Sequence, residues 1–137
     1  MDASGRQVWI RAAILVGVVY LLIGRVFAAP ASHQRLWRLA AWVVSGVLYA
    51  AHIGYEHFKL RQSTRDTALH VALAVAIGAF LLAVAGGLHS LATTSSVRPL
   101  WFLALGLWPI ATAVPAFFVA LVAAAALARL PLSAKAD

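Results

Sequence analysis

Most side chains that could do chemistry in this sequence lie in one stretch, residues 50–70, which reads AAHIGYEHFKLRQSTRDTALH. Its eight ionisable side chains are His52, Glu56, His57, Lys59, Arg61, Arg65, Asp66 and His70, and Glu56 is the sole glutamate of the chain. Because His52 and Glu56 are four residues apart, a helix places them side by side on one face, within reach of a hydrogen bond. An imidazole and a carboxyl group so placed form a candidate proton acceptor. The stretch therefore indicates either a proton site or simply the polar ends of two helices.

A longer polar stripe contains this pair. Polar and aromatic side chains recur at alternating spacings of three and four residues: Arg35, Arg38, Trp42, Ser45, Tyr49, His52, Glu56 and Lys59. This spacing keeps all of them on one face of a helix. Ser45, Tyr49, His52 and Glu56 are the candidate proton or polar pathway. The alternative is that they are only interhelical hydrogen-bonding groups, which contribute ~0.6 kcal/mol each in membrane proteins.

The composition indicates a membrane protein of one domain, residues 1–137. Hydrophobic residues make up 64% and charged residues 11%, whereas soluble domains have about 25% charged residues, and the mean hydropathy is +0.90. A net charge of +7 does not indicate nucleic acid, because the basic residues stand singly at the ends of apolar runs, where lipid headgroups bind. The absence of cysteine from the sequence excludes disulfides and thiolate metal sites.

Four apolar runs predict an all-α integral membrane protein. They cover about residues 8–28, 36–58, 67–92 and 100–130, and a spanning helix needs ~20 residues. The short connections predict an up-down-up-down bundle. Pro109 and Pro115 are expected to kink the fourth helix. The first run also resembles a cleavable signal peptide, but Arg25 between its apolar core and the cleavage motif favours retention.

The distribution of basic residues predicts the orientation. Seven basic residues would lie on the membrane side that holds both termini and the second loop, namely Arg6, Arg11, Lys59, Arg61, Arg65, Arg129 and Lys135. Four would lie on the opposite side, namely Arg25, Arg35, Arg38 and Arg98. The positive-inside rule then places both termini in the cytoplasm, with the chain in the cytoplasmic (inner) membrane. Lys59, Arg61 and Arg65 are expected to contact anionic lipid headgroups.

Five histidines raise the question of a haem or metal site. His52 and His70 form a candidate pair of axial ligands for haem b. The third helix, however, has a row of small residues, namely Ala72, Ala76, Ala79, Ala83, Gly86 and Ser90. If that row packs on the second helix, His70 points away from His52. A zinc site is not expected either, because HIGYEH does not have the spacing of a zinc protease motif.

These observations lead to three hypotheses on function. The first is a non-enzymatic subunit of a larger membrane complex, or a homo-oligomer, that uses the polar face of its second helix as the contact surface. The second is a proton-coupled small transporter or channel in which Glu56 and His52 titrate. The third is a histidine-ligated haem b electron carrier. No catalytic constellation is present in the sequence, and no cofactor is expected under the first two hypotheses.

Overall fold

The computed structural model describes residues 3–28, 32–94 and 100–129, and this part of the chain is all-helical. It contains four long helices: α1 (Ala3–Ala28), α2 (Gln34–Gly54), α3 (Thr64–Thr94) and α4 (Leu100–Arg129). A π-helical segment, Tyr55–Lys59, follows α2 directly. Each of the four helices is long and apolar enough to span a membrane. The composition-based prediction of four apolar helices is therefore confirmed.

Small residues bring α1 and α3 close together. Gly17 faces Ile77, and Gly78 faces Tyr20. A Cβ atom added at Gly78 would lie 2.6 Å from the Cβ of Tyr20 and 3.1 Å from the carbonyl oxygen of Gly17. Helices in lipid associate through such close backbone packing, because no hydrophobic effect drives them together there.

The most extensive contacts of α3 are with α4. Ala120 and Ala124 of α4 are fully buried, and a Cβ atom at Gly86 of α3 would lie 3.0 Å from the ring of Trp101. Ala83 lines a small cavity together with the same tryptophan. These members of the small-residue row of α3 thus face α4 rather than α2, contrary to the expectation. The physical reason is that α4 also offers small residues, so the two backbones can approach closely.

Helix α2 makes its most extensive interhelical contacts with α1, and near its N-terminus Trp37 meets Phe27 of α1 edge-on, with 5.7 Å between the ring centroids. Only its C-terminal end is buried. Ile53 belongs to a buried apolar cluster with Ala68, Val71 and Ala120. Towards its N-terminus α2 is exposed or half-buried throughout, and Trp42 is 79% exposed. A cavity of about 600 Å³ lies between this half of α2 and the other three helices.

The ends of the second connection are set by local hydrogen bonds. The backbone N–H of Leu60 donates to the carbonyl of Tyr55 at 3.2 Å, and the chain then turns at Arg61 with φ of 51°. Ser63 caps α3, because its Oγ accepts a hydrogen bond from the backbone N–H of Asp66 at 3.2 Å. This cap starts α3 three residues before the predicted boundary at residue 67.

The fourth helix includes both prolines and continues as one helix from Leu100 to Arg129. Within this stretch the hydroxyl of Thr112 donates to the carbonyls of Trp108 and Pro109, each at 3.0 Å. The kink at Pro109 and Pro115 stays a prediction.

The close approach of α1 and α3 can be tested at Gly78. We expect Gly78→Ala to lower the free energy of unfolding by about 1–3 kcal/mol, because the added methyl overpacks the contact with Tyr20. Unfolding in mixed micelles would measure it. Gly46→Ala is the matched control, since a Cβ there meets nothing within 4 Å. Equal stability of the two variants would contradict the packing described.

Candidate functional site

The only described side chain that is both acidic and fully buried belongs to Glu56, which has 0% exposure. Glu56 is the second residue of the π-helical segment that extends α2. Short π-helical turns inside helices are rare and occur frequently at functional sites. The π-helical backbone and the burial of the carboxyl group therefore both indicate Glu56 as a candidate functional residue.

Two imidazole rings from different helices flank the carboxyl group of Glu56. Its Oε2 lies 2.9 Å from Nδ1 of His70 on α3, a hydrogen-bond distance. Its Oε1 lies 3.6 Å from Nε2 of His52 on α2, which is an ion-pair distance but too long for a hydrogen bond. We call Glu56, His52 and His70 the carboxyl–histidine cluster. Its three side chains are all buried.

Helix α1 contributes Trp9 to this site. The indole of Trp9 stacks on the ring of His70 with 4.1 Å between the centroids and 4° between the planes. This contact holds the imidazole in the orientation that presents Nδ1 to Glu56. Three helices therefore meet at the cluster.

Several polar atoms around the cluster are buried and have no hydrogen-bond partner among the described residues. They include Oε1 of Glu56, both ring nitrogens of His52 and Oγ1 of Thr67, which lies one turn before His70 on α3. An unpaired buried polar group costs about 1–3 kcal/mol. A proton held between Oε1 of Glu56 and Nε2 of His52 would pair both atoms once they approach by a few tenths of an ångström.

The other two residues of the candidate pathway lie further along the stripe. The hydroxyl of Tyr49 donates a short hydrogen bond to the carbonyl of Ala116, which ties α2 to α4. Ser45 lines the cavity of about 600 Å³. Ser45, Tyr49, His52 and Glu56 therefore follow one another from this cavity to the buried cluster.

The remaining predicted site residues lie outside the cluster. Lys59, Arg61 and Arg65 are exposed at the end of the molecule near Glu56, and their contact with lipid headgroups stays a prediction. His57 is half-buried beside Phe58, with 5.0 Å between the ring centroids.

His70 faces Glu56. Its ring was expected to point away from His52 only if the small-residue row of α3 packs against α2. That condition is not met at Ala83 and Gly86, which face α4, whereas Ala79 lines the cavity that borders α2. The haem hypothesis stays untested, but the geometry does not favour it, because His52 and His70 both contact one carboxyl group. Among the described residues, no group of three or more His, Cys, Asp and Glu side chains could hold a metal ion.

No protein-family model matches the chain, and neither does any curated protein or solved structure.

Removing one member of the cluster should lower the stability of the protein more than removing two members together. We expect His70→Leu to lower the free energy of unfolding by about 3–5 kcal/mol, because it removes the hydrogen-bond partner of a fully buried carboxyl group. The double variant Glu56→Leu/His70→Leu should recover much of that loss, since an apolar replacement of a buried pair is often nearly neutral.

Unfolding in mixed micelles would measure both variants. His89→Leu is the control, because His89 is exposed at the other end of α3 and its loss should change stability by less than about 0.5 kcal/mol. Strictly additive losses in the double variant would show that Glu56 and His70 do not interact.

Proposed function

We propose that this chain is a proton-coupled membrane transporter or channel of small size, in which the carboxyl–histidine cluster binds and releases a proton. The observation that carries the proposal is the fully buried Glu56, flanked by imidazoles from α2 and α3. Ionisable side chains inside membrane-spanning segments are costly to place there and commonly mark proton or ion pathways. The proposed role is a non-enzymatic one.

The net charge of the cluster explains why gain or loss of a proton would change its structure. With Glu56 ionised and one of the two histidines protonated, the three side chains have no net charge. Gain of a second proton, or loss of the first, leaves a net charge of one unit in an apolar region, which is strongly unfavourable unless water or a counter-charge reaches it. Because the three side chains are in contact, a proton gained by one changes the charge that the other two meet. Each protonation change therefore favours a rearrangement of the cluster.

The packing of α2 indicates how a change of charge at the cluster would move this helix. Helix α2 packs on α1, and its C-terminal part is attached to α3 through the cluster and to α4 through Tyr49 on Ala116. Its N-terminal half borders the cavity. A change of charge at the cluster would loosen the contact with His70 and let the C-terminal end of α2 move relative to α3.

The transmembrane topology that fits this proposal is the one predicted from the sequence. We propose that the helices cross the membrane in an up-down-up-down order, with both termini in the cytoplasm and a kink in α4 at its prolines. The contacts support the order: Trp9 of α1 meets His70 near the start of α3, and Gly24 meets Leu82 further along both helices.

A second candidate function is that of a building block in a homo-oligomer or larger membrane complex. The exposed ring of Trp42 favours it, because large exposed aromatic side chains are frequent energetic centres of protein interfaces. Arg35 and Arg38 are exposed in the same half of α2. Tyr49 and His52 are already engaged within the chain, so a partner would contact the N-terminal half of the stripe. Native mass spectrometry from mild detergent tests this candidate, and a mass of one copy alone would contradict it.

The proton site can be tested before any transported molecule is known. Infrared difference spectra of the protein in lipid, recorded between acidic and neutral pH, should contain a carboxylic-acid carbonyl band from Glu56. We expect Glu56→Gln to remove this band without unfolding the protein, because glutamine keeps the shape of the side chain but cannot titrate. Glu56→Gln should also abolish proton flux into vesicles.

Asp66→Asn is the matched control, since Asp66 is the other acidic residue in the described part of the chain and is exposed. This variant should keep the band of Glu56 and the proton flux. Wild-type flux in Glu56→Gln would refute the proposal.

A further inference from the structure

A second candidate site, in this case for binding a small molecule, lies at the opposite end of α2 from the carboxyl–histidine cluster. A cavity of about 220 Å³ lies between the end of α1 and the start of α2, and Arg38 and Gln34 are among its lining residues. Gly24 and Ala41 line both this cavity and the larger one of about 600 Å³. The two cavities are therefore adjacent, and the smaller one has the guanidinium-bearing Arg38 in its lining.

The larger cavity has the character of a binding site for an apolar molecule. Its lining is mostly apolar and includes the rings of Tyr20, Trp42 and Trp108. Small-molecule sites typically occupy ~300–1,000 Å³ and combine apolar walls with a few polar groups. One such polar group is the hydroxyl of Tyr20, which is buried and has no hydrogen-bond partner among the described residues.

The charge near these cavities is positive and uncompensated. Within the described residues Arg38 makes no ion pair. Glu56 is 18 residues further along the same helical stretch, about 27 Å away by helix rise, and Asp66 follows beyond it. Arg25 and Arg35, which lie near the same ends of α1 and α2, add positive charge. A ligand in these cavities would thus meet a cation at one end and aromatic rings at the other.

We propose that the two cavities together bind an anionic amphiphile. Its acidic group would pair with the guanidinium of Arg38, its apolar part would lie against Trp42 and Trp108, and an oxygen atom on it would accept a hydrogen bond from Tyr20. Either a free long-chain carboxylic acid or an acidic phospholipid has this chemistry. The proposal does not depend on the proton site.

The experiment uses quenching of tryptophan fluorescence by brominated lipids. The full chain is placed in nanodiscs of phosphatidylcholine and titrated with a brominated fatty acid, brominated phosphatidylglycerol or brominated phosphatidylcholine. We expect saturable quenching by an anionic probe and only weak, linear quenching by phosphatidylcholine. The anionic probe that saturates at the lower concentration identifies which of the two sources supplies the ligand.

Four variants make the test specific. Arg38→Gln should weaken binding of the anionic probe by about tenfold or more, as expected for loss of a charge-assisted hydrogen bond. Arg35→Gln is the matched control and should bind like wild type, because Arg35 is exposed and lines neither cavity. Ala41→Phe should abolish binding by filling the junction of the two cavities. The double variant Trp42→Phe/Trp108→Phe should lose the saturable quenching.

Two results would overturn the proposal. One is linear quenching by all three probes in the wild-type protein. The other is equal affinity of Arg38→Gln and Arg35→Gln for the anionic probe, or unchanged binding by Ala41→Phe. The Ala41→Phe variant keeps the test decisive even if one arginine variant folds poorly, because it leaves every charge in place.

Discussion

Glu56 can remain fully buried in an apolar bundle only because imidazole groups compensate its charge from both sides. An isolated ionised carboxylate in a medium of low dielectric constant is strongly unfavourable. His70 contributes a hydrogen bond at 2.9 Å and His52 an ion-pair contact at 3.6 Å, while the stack of Trp9 fixes the ring of His70. The relative positions of α1, α2 and α3 at this end of the molecule therefore depend on one carboxyl group.

The other end of the molecule is built differently. Helices α1, α3 and α4 pack through small residues, as at Gly78 and Gly86. Helix α2 joins them through its contacts with α1 and through its buried C-terminal part, and leaves a cavity beside its N-terminal half. A helix with polar attachments at one end and an open side is suited to respond to a change in charge.

The sequence was sufficient to predict the four apolar helices and part of the site. The length and hydropathy of the runs indicated the helices, and the spacing of His52 and Glu56 indicated that the two share one helix face. His70 and Trp9 were not assigned to the site, because their positions depend on which faces of α1 and α3 meet the end of α2. That choice follows from tertiary packing, in particular from the small residues of α4 that attract the small-residue row of α3. The π-helical segment had no recognisable signal, whereas the earlier start of α3 could have been inferred from Ser63 and Asp66, which have the spacing of a capping pair.

We propose that Glu56, His52 and His70 share their protons as one unit. Nitrogen NMR of histidine-labelled protein in lipid bilayers, recorded over a range of pH, would follow both imidazoles directly. We predict that His52 and His70 change their protonation in linked steps, and that Glu56→Gln uncouples them while leaving the exposed His89 unchanged. Independent titration of His52 and His70 in the wild-type protein, unaffected by Glu56→Gln, would contradict the account.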